Sequence, residues 1–177
     1  MRLKLRPVLH AVLMAIALDM LTPCAALADQ LPVPAAGLPG FVAGMKEVPD
    51  PGLDYRVLFE LKAPQAAAGP DARLLDIARY VNSLAEYGVP PIRRHLVVLV
   101  YGAAVPLLLS SASGHSNPNA ALIRRMQTAG VQFRVCGQAL LARHLTQAQL
   151  LPGVQMDLWA ISTLANLQLQ GYAHIEE

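Results

Sequence analysis

The chain has 177 residues, of which 54% are hydrophobic and 15% charged, with a formal net charge of +2. That length suits one domain with a proper core. The balance of charge, with Arg93-Arg94 and Arg124-Arg125 as isolated pairs, excludes the clustered basic footprint that nucleic-acid binding needs.

The amino terminus reads as a targeting segment. Arg2, Lys4 and Arg6 form a positive start, and Val8 to Leu21 an apolar stretch broken by His10 and Asp19. Ala26-Leu27-Ala28 then has the small-x-small pattern that a signal peptidase cuts. The apolar run is too short and too interrupted for a comfortable membrane span, so no stable membrane anchor is expected. Leu21-Thr22-Pro23-Cys24 has the outline of a lipoprotein box, but Pro23 directly before the cysteine fits it poorly. A periplasmic or secreted protein cleaved near Ala28 is the expectation. Losing residues 1–28 takes three of the 14 Lys+Arg and one of the 12 Asp+Glu, leaving 11 of each. Cys136 is then the one cysteine left, an unpaired thiol in an oxidising compartment.

Residues 29–53 are rich in Pro and Gly, carry no periodic pattern, and read as an arm before a domain at 54–177. Tyr55 to Lys62 reads as a strand with alternating polarity on part of its length. Asp71 caps a helix whose Leu74, Ile77, Ala78, Val81, Leu84 and Ala85 recur every three or four positions, until Gly88 and Pro90-Pro91 stop it. His95 to Tyr101 is apolar throughout its middle, the pattern of a central parallel strand covered on both faces. Ala103 to Leu109 is a short helical or turn segment, and Ser110 to Asn119 a polar loop holding His115. Asn117-Pro118 offers a cap followed by proline at the first helical position, with Leu122, Ile123 and Met126 as the stripe and Gly130 as the stop. A strand at Val131–Val135 leads into Cys136, and a helix is expected from about Gln138 to Leu145. A short helical turn within 146–151, a strand at Val154–Leu158, a helix through Ile161, Leu164 and Leu167, and a last strand at Tyr172–Ile175 complete the chain. Strands alternating with helices, one of them wholly apolar, predict a three-layer α/β/α sandwich on a mainly parallel sheet, with no second domain.

In such sheets ligands bind beyond the carboxyl ends of the strands. Cys136 lies at one such end, and Tyr101 and Gly102 at another. The thiolate is the reactive form of cysteine, and amides at a helix start, here Gly137 to Ala139, favour an anion. Gly137 leaves room for a ligand, and Arg134, two residues back on the strand, points to the same face and adds positive potential. Cys136 is thus the candidate reactive residue, with Tyr101, Gly102, His115, Arg134 and Gly137 as candidate ligand-binding positions. The opposing reading is a packed structural cysteine, a small buried hydrophobe.

A cysteine–histidine pair is harder to build. His144 is eight residues on, about 12 Å along a helix, beyond hydrogen-bond reach unless the helix breaks. His115 is the better placed, on a loop that can return to the same end of the sheet. His95 begins a strand at the opposite end and His174 is near the terminus, so neither is assigned a site. There is no CxxC, HExxH or carboxylate cluster with ligand spacing, so no metal is expected, and without a glycine-rich fingerprint no cofactor. Trp159 reads as core or interface.

The run from Tyr55 to Ile175 resembles the DsrE/DsrF-like family, in particular its small secreted members. The likeness is carried by Val98-Leu99-Val100-Tyr101-Gly102 leading into Ala103, Val105, Leu107 and Leu108, by Asn119 opening a helix, and by Gly130-Val131-Gln132-Phe133-Arg134-Val135-Cys136-Gly137. Leu164 and Gln168 before Gly171-Tyr172 close it. The family often has His before the glycine that ends the second strand, where this chain has Tyr101. The resemblance implies a five-stranded, mainly parallel sheet between helices, and assembly as a homo-oligomer, a trimer or hexamer. Cytoplasmic sulfur-relay members pass persulfide sulfur through a cysteine after this strand, and Cys136 alone carries over by position. The expected function is to bind or relay sulfur, or another thiol-reactive species, through Cys136, with a sulfur donor or acceptor protein as partner and no conventional enzyme chemistry. The alternative is a non-enzymatic oligomeric module, for assembly or small-ligand binding, with a structural cysteine.

Overall fold

The computed structural model describes residues 31–63, 69–114 and 116–177. The expected signal segment and His115 lie outside the described residues.

Five strands form one sheet: β1 (Tyr55–Leu61), β2 (Arg94–Val100), β3 (Gln132–Cys136), β4 (Gln155–Asp157) and β5 (Ala173–Glu176). Their order is β4-β3-β2-β1-β5, and every pairing is parallel. The wholly apolar strand is thus the middle one. With neighbours on both sides and helices on both faces, β2 buries every residue from Leu96 to Val100.

Strand alternation divides the core in two. Val57, Phe59 and Leu61 of β1, Leu96, Val98 and Val100 of β2, and Phe133 and Val135 of β3 face one side. There they meet α1 (Ala72–Glu86), α2 (Ala120–Thr128) and α3 (Gly137–Leu141). Leu74, Ile77, Ala78, Val81 and Leu84 supply the stripe of α1, each wholly buried. Side chains of this kind stabilise the fold by about 1.5–3 kcal/mol apiece when removed from water. Asp71 caps α1 by accepting from the Arg73 N–H, as expected. The start of the Pro/Gly-rich arm docks on the same helix. Buried Asn82 accepts from the Val33 N–H at 2.8 Å and donates to the carbonyls of Val33 and Gly37.

The other face carries Leu58, Val97, Leu99 and Cys136, covered among the described residues by α4 (Ala160–Leu169). The strand order requires this. β4 lies at one edge and β5 at the other, so their connection must cross the whole sheet. Four strand spacings make about 19 Å, and the ten residues of α4 about 15 Å. Only one side of α4 is buried, at Ala160, Thr163 and Leu167. Among the described residues no helix is long and apolar enough to cross a membrane.

Two local expectations need correction. The second α-helix begins at Ala120, not Pro118: residues 118–119 form a turn, closed by the Ala120 N–H donating to the backbone carbonyl of Asn117. Its Oδ1 accepts from the Asn119 N–H at 2.9 Å, while its Nδ2 donates to the carbonyls of Leu107 and Leu109. The helix after Cys136 ends at Leu141, four residues early. The chain turns there through His144, at φ 53 the only non-glycine with positive φ among the described residues. Trp159 is half-exposed and not part of the core.

Candidate functional site at the carboxyl end of the sheet

Cys136 is the last residue of β3 and the residue before α3, as its sequence context predicts. It is 3% exposed, packed with Leu58, Val97, Leu99, Ala160 and Leu167. Its sulfur makes no capping bond to the short helix that follows it. The amide that reaches it comes from the other layer, where the Ala160 N–H, at the start of α4, donates to Sγ at 3.3 Å.

The neighbouring positions divide by role. Arg134 shares the face of Cys136 but is held by Asp157 (Nη1 to Oδ2, 3.6 Å) and by Gln132, which accepts from Nη2 at 3.1 Å. The Asp157 carboxylate also accepts from Thr163 Oγ1 at 2.8 Å, which ties β4 to α4. Arg134 Nε is buried without a hydrogen-bond partner among the described residues. Gly102 and Gly137 each have a packing reason to be glycine. Gly102 has φ +57, and a Cβ there would lie 2.8 Å from the Lys62 carbonyl oxygen. That oxygen accepts from the Ala104 N–H as the chain leaves β2. A Cβ on Gly137 would lie 2.9 Å from the Asp157 carbonyl oxygen, where β4 passes close. Beside it opens a cavity of about 450 Å³ lined by Gly137, Gln138, Leu141, Met156, Asp157 and Leu158, among others. Cys136 is next to this cavity in the chain but does not line it.

Tyr101 belongs to a cluster that the sequence reading did not assign. Its hydroxyl donates to Oε1 of Glu60, a carboxylate on β1 that is only 4% exposed. His174 on β5 meets the other oxygen, with Nε2 2.5 Å from Oε2. Lys62 Nζ lies 3.9 Å from Oε1 and pairs with Glu176. Burial first, then the hydrogen bond to Glu60 and the nearby negative charges, push the Tyr101 phenol up to about 12. That phenol stays neutral at any physiological pH. The one available signal for Glu60 was a charge inside an apolar strand, since a buried carboxylate must find partners. Nothing local marks His174, which is 114 residues away and reaches Glu60 only through the pairing of β5 with β1. His144 is exposed and His95 is the second residue of β2, at the end of the sheet away from Cys136. Among the described residues no group of three metal-ligating side chains exists.

The model of the DsrE/DsrF-like family matches residues 62–176. The chain belongs to the DsrE/DsrF-like family. Two solved structures share this DsrE/DsrF-like fold. One is a protein of unknown function, MTH1491 from Methanobacterium thermoautotrophicum, 22% identical with a TM-score of 0.57 over 70% of this chain and 100% of that one. The other is the ychN protein from E. coli, 12% identical with a TM-score of 0.51 over 70% of this chain and 99% of that one. No curated protein matches the chain significantly. The family and the all-parallel five-stranded sheet between helices are therefore as the sequence leads one to expect.

Proposed function

We propose that this DsrE/DsrF-like protein binds or relays sulfur as a persulfide on Cys136. The observation that carries this is the placement of Cys136 at the carboxyl end of β3 with the Ala160 N–H donating to its sulfur. In the step envisaged, the Cys136 thiolate attacks the outer sulfur of a donor persulfide or polysulfide. The donor's S–S bond breaks, its remaining sulfur leaves as a thiolate, and Cys136 carries one added sulfur. A second thiolate reverses the step at an acceptor. No metal or electron carrier is required.

The expected targeting segment makes this a periplasmic or secreted function. The apolar side chains of Met156, Leu158, Trp159 and Ile161, exposed around the start of α4, favour assembly of several copies. A second reading is favoured by one observation, the 3% exposure of Cys136. In that reading the cysteine is packing, and the protein is a non-enzymatic oligomeric assembly or small-ligand module.

Intact mass before and after a polysulfide donor, with Cys136→Ser alongside, decides between them. Sulfur carriage requires a one-sulfur adduct on the wild type that reductant removes and the variant lacks. No adduct, with the folded protein also closed to alkylation, leaves the structural reading. Sequencing the first residues of the exported protein tests the cleavage site, and a start at Asp29 is expected.

A further inference from the structure

Four adjacent strands each place one polar side chain on the α4 face near the carboxyl end of the sheet. These are Cys136 ending β3, Tyr101 just past β2, Glu60 on β1 and His174 on β5. Val100 pairs with Val135, so Tyr101 and Cys136 follow as neighbours across β2 and β3. Leu58 pairs with His174, which brings the imidazole beside Glu60 two residues on. Three of the four are joined by hydrogen bonds, Tyr101 to Glu60 and Glu60 to His174. The solvent end of the row is His174, whose side chain is 28% exposed.

The charges around this row are few. Lys62, just past β1, and Glu176 on β5 face Glu60, Arg134 and Asp157 stand beside Cys136 on β3 and β4, and α4 carries no charged residue. Tyr101 packs against the cluster that holds Cys136, and negative charge on that sulfur is among the influences raising its phenol. A phenol that remains neutral has one proton to donate, and it donates to Glu60. The neighbouring sulfur, which already accepts from the Ala160 N–H, is thereby denied this second donor.

We propose that Glu60, steadied by His174, is a positioning residue for Cys136: it holds the Tyr101 hydroxyl away from the sulfur, and its release lets that hydroxyl donate to a thiolate or persulfide anion on Cys136. This rests on Cys136 being the reacting group, as in the function proposed above. The carboxylate and the sulfur anion compete for one O–H. Protonating Glu60, or drawing its charge toward His174 as an imidazolium, shifts the hydroxyl toward sulfur. Sulfur chemistry on β3 is then coupled to the exposed imidazole on β5.

The test is the thiol–thiolate midpoint of Cys136 in the full chain, read by ultraviolet and infrared S–H difference spectra against Cys136→Ser. These readouts do not require a reagent to reach the sulfur. Glu60→Gln should lower the midpoint by about one pH unit, a tenfold gain in ionisation. In a Tyr101→Phe background the same substitution should move it by less than about a third as much. An equal shift in both backgrounds would make Glu60 a nearby charge only, and no shift in either would make the row a clamp for β5. Either result overturns the proposal. Thermal melting checks that each variant folds. If Glu60→Gln does not fold, His174→Gln carries the same test with the opposite sign, a smaller rise in the midpoint that Tyr101→Phe abolishes. The polysulfide mass shift, measured on the same wild-type sample, keeps the two ideas apart. An adduct without a Tyr101-dependent shift removes the coupling and leaves carriage, while a shift without an adduct does the reverse.

Discussion

The N–H of Ala160 donates to the sulfur of Cys136, joining the first residue of α4 to the last of β3 at 3.3 Å. The two residues are 24 positions apart and come from different layers. Ala160 is the first helical residue of α4, so its N–H has no partner within the helix, and the sulfur supplies one. The same contact aims a donor at the candidate reactive atom and closes the core beneath α4.

Removing the acceptor therefore has a stability consequence separate from any chemistry. Cys136→Ala leaves a buried N–H unpaired and should destabilise the fold by about 1–3 kcal/mol. Cys136→Ser retains an acceptor and should be the milder change. Denaturant melts of the two variants check the order, and an Ala variant as stable as Ser would remove the Ala160 contact as a stabilising one.

Gly137 and Gly102 should both resist substitution, for different reasons. Gly137→Ala places a methyl 2.9 Å from a backbone oxygen of β4, and overpacking of this kind costs about 1–3 kcal/mol. Gly102→Ala combines a similar clash at 2.8 Å with φ +57, so it should be the more damaging of the two. Gly114→Ala, with positive φ but open space around it, is the control for strain alone. Melting temperatures should fall least for Gly114→Ala and most for Gly102→Ala.

Alkaline pH should weaken the fold through two tyrosines. Tyr80 and Tyr101 are each raised from 10.0 to about 12, chiefly because burial disfavours the phenolate. A phenol raised in the folded state binds its proton more tightly there than when unfolded. Its contribution is complete below the unfolded value of 10.0 and is lost as pH rises toward about 12. Denaturant midpoints across that window should fall for the wild type and fall less for Tyr80→Phe and Tyr101→Phe. Curves with the same slope in all three proteins would count against the assignment.

Asn82 should control the arm. Its amide meets both backbone groups of Val33 inside the protein, so Asn82→Leu leaves the Val33 N–H buried and unpaired, while the Val33 carbonyl keeps only the Ala36 N–H. The expected result is faster hydrogen exchange and proteolysis within residues 31–53, with residues 94–100 of β2 still protected. Unchanged protection of the arm would mean that Val33 and Ala36 hold it by packing alone.

Much of this fold is legible one segment at a time. The apolar run of β2 marks a strand with no exposed face, and it is the central strand of the sheet. The spacing of Leu74, Ile77, Val81 and Leu84 marks the buried side of α1. The junction at Cys136 is readable because the residues before it alternate and those after it favour helix. Helix ends are less legible, since they depend on which donors and acceptors are already taken. Asn117 looks like a cap, and its Oδ1 accepts from the Asn119 N–H, yet a turn intervenes before the helix begins at Ala120.

By itself, then, the sequence determined the class of fold, the family, and the position of Cys136 at a strand end, because periodicity and turn chemistry act over a few neighbouring residues. The strand order was decided only in three dimensions. Setting β5 beside β1 sends α4 across the whole sheet, which buries Cys136 and brings the Ala160 N–H to its sulfur. The same pairing carries His174 to Glu60, and the carboxylate then takes the hydroxyl of Tyr101. A buried charge selects its partners by proximity in space, and no local pattern records that choice.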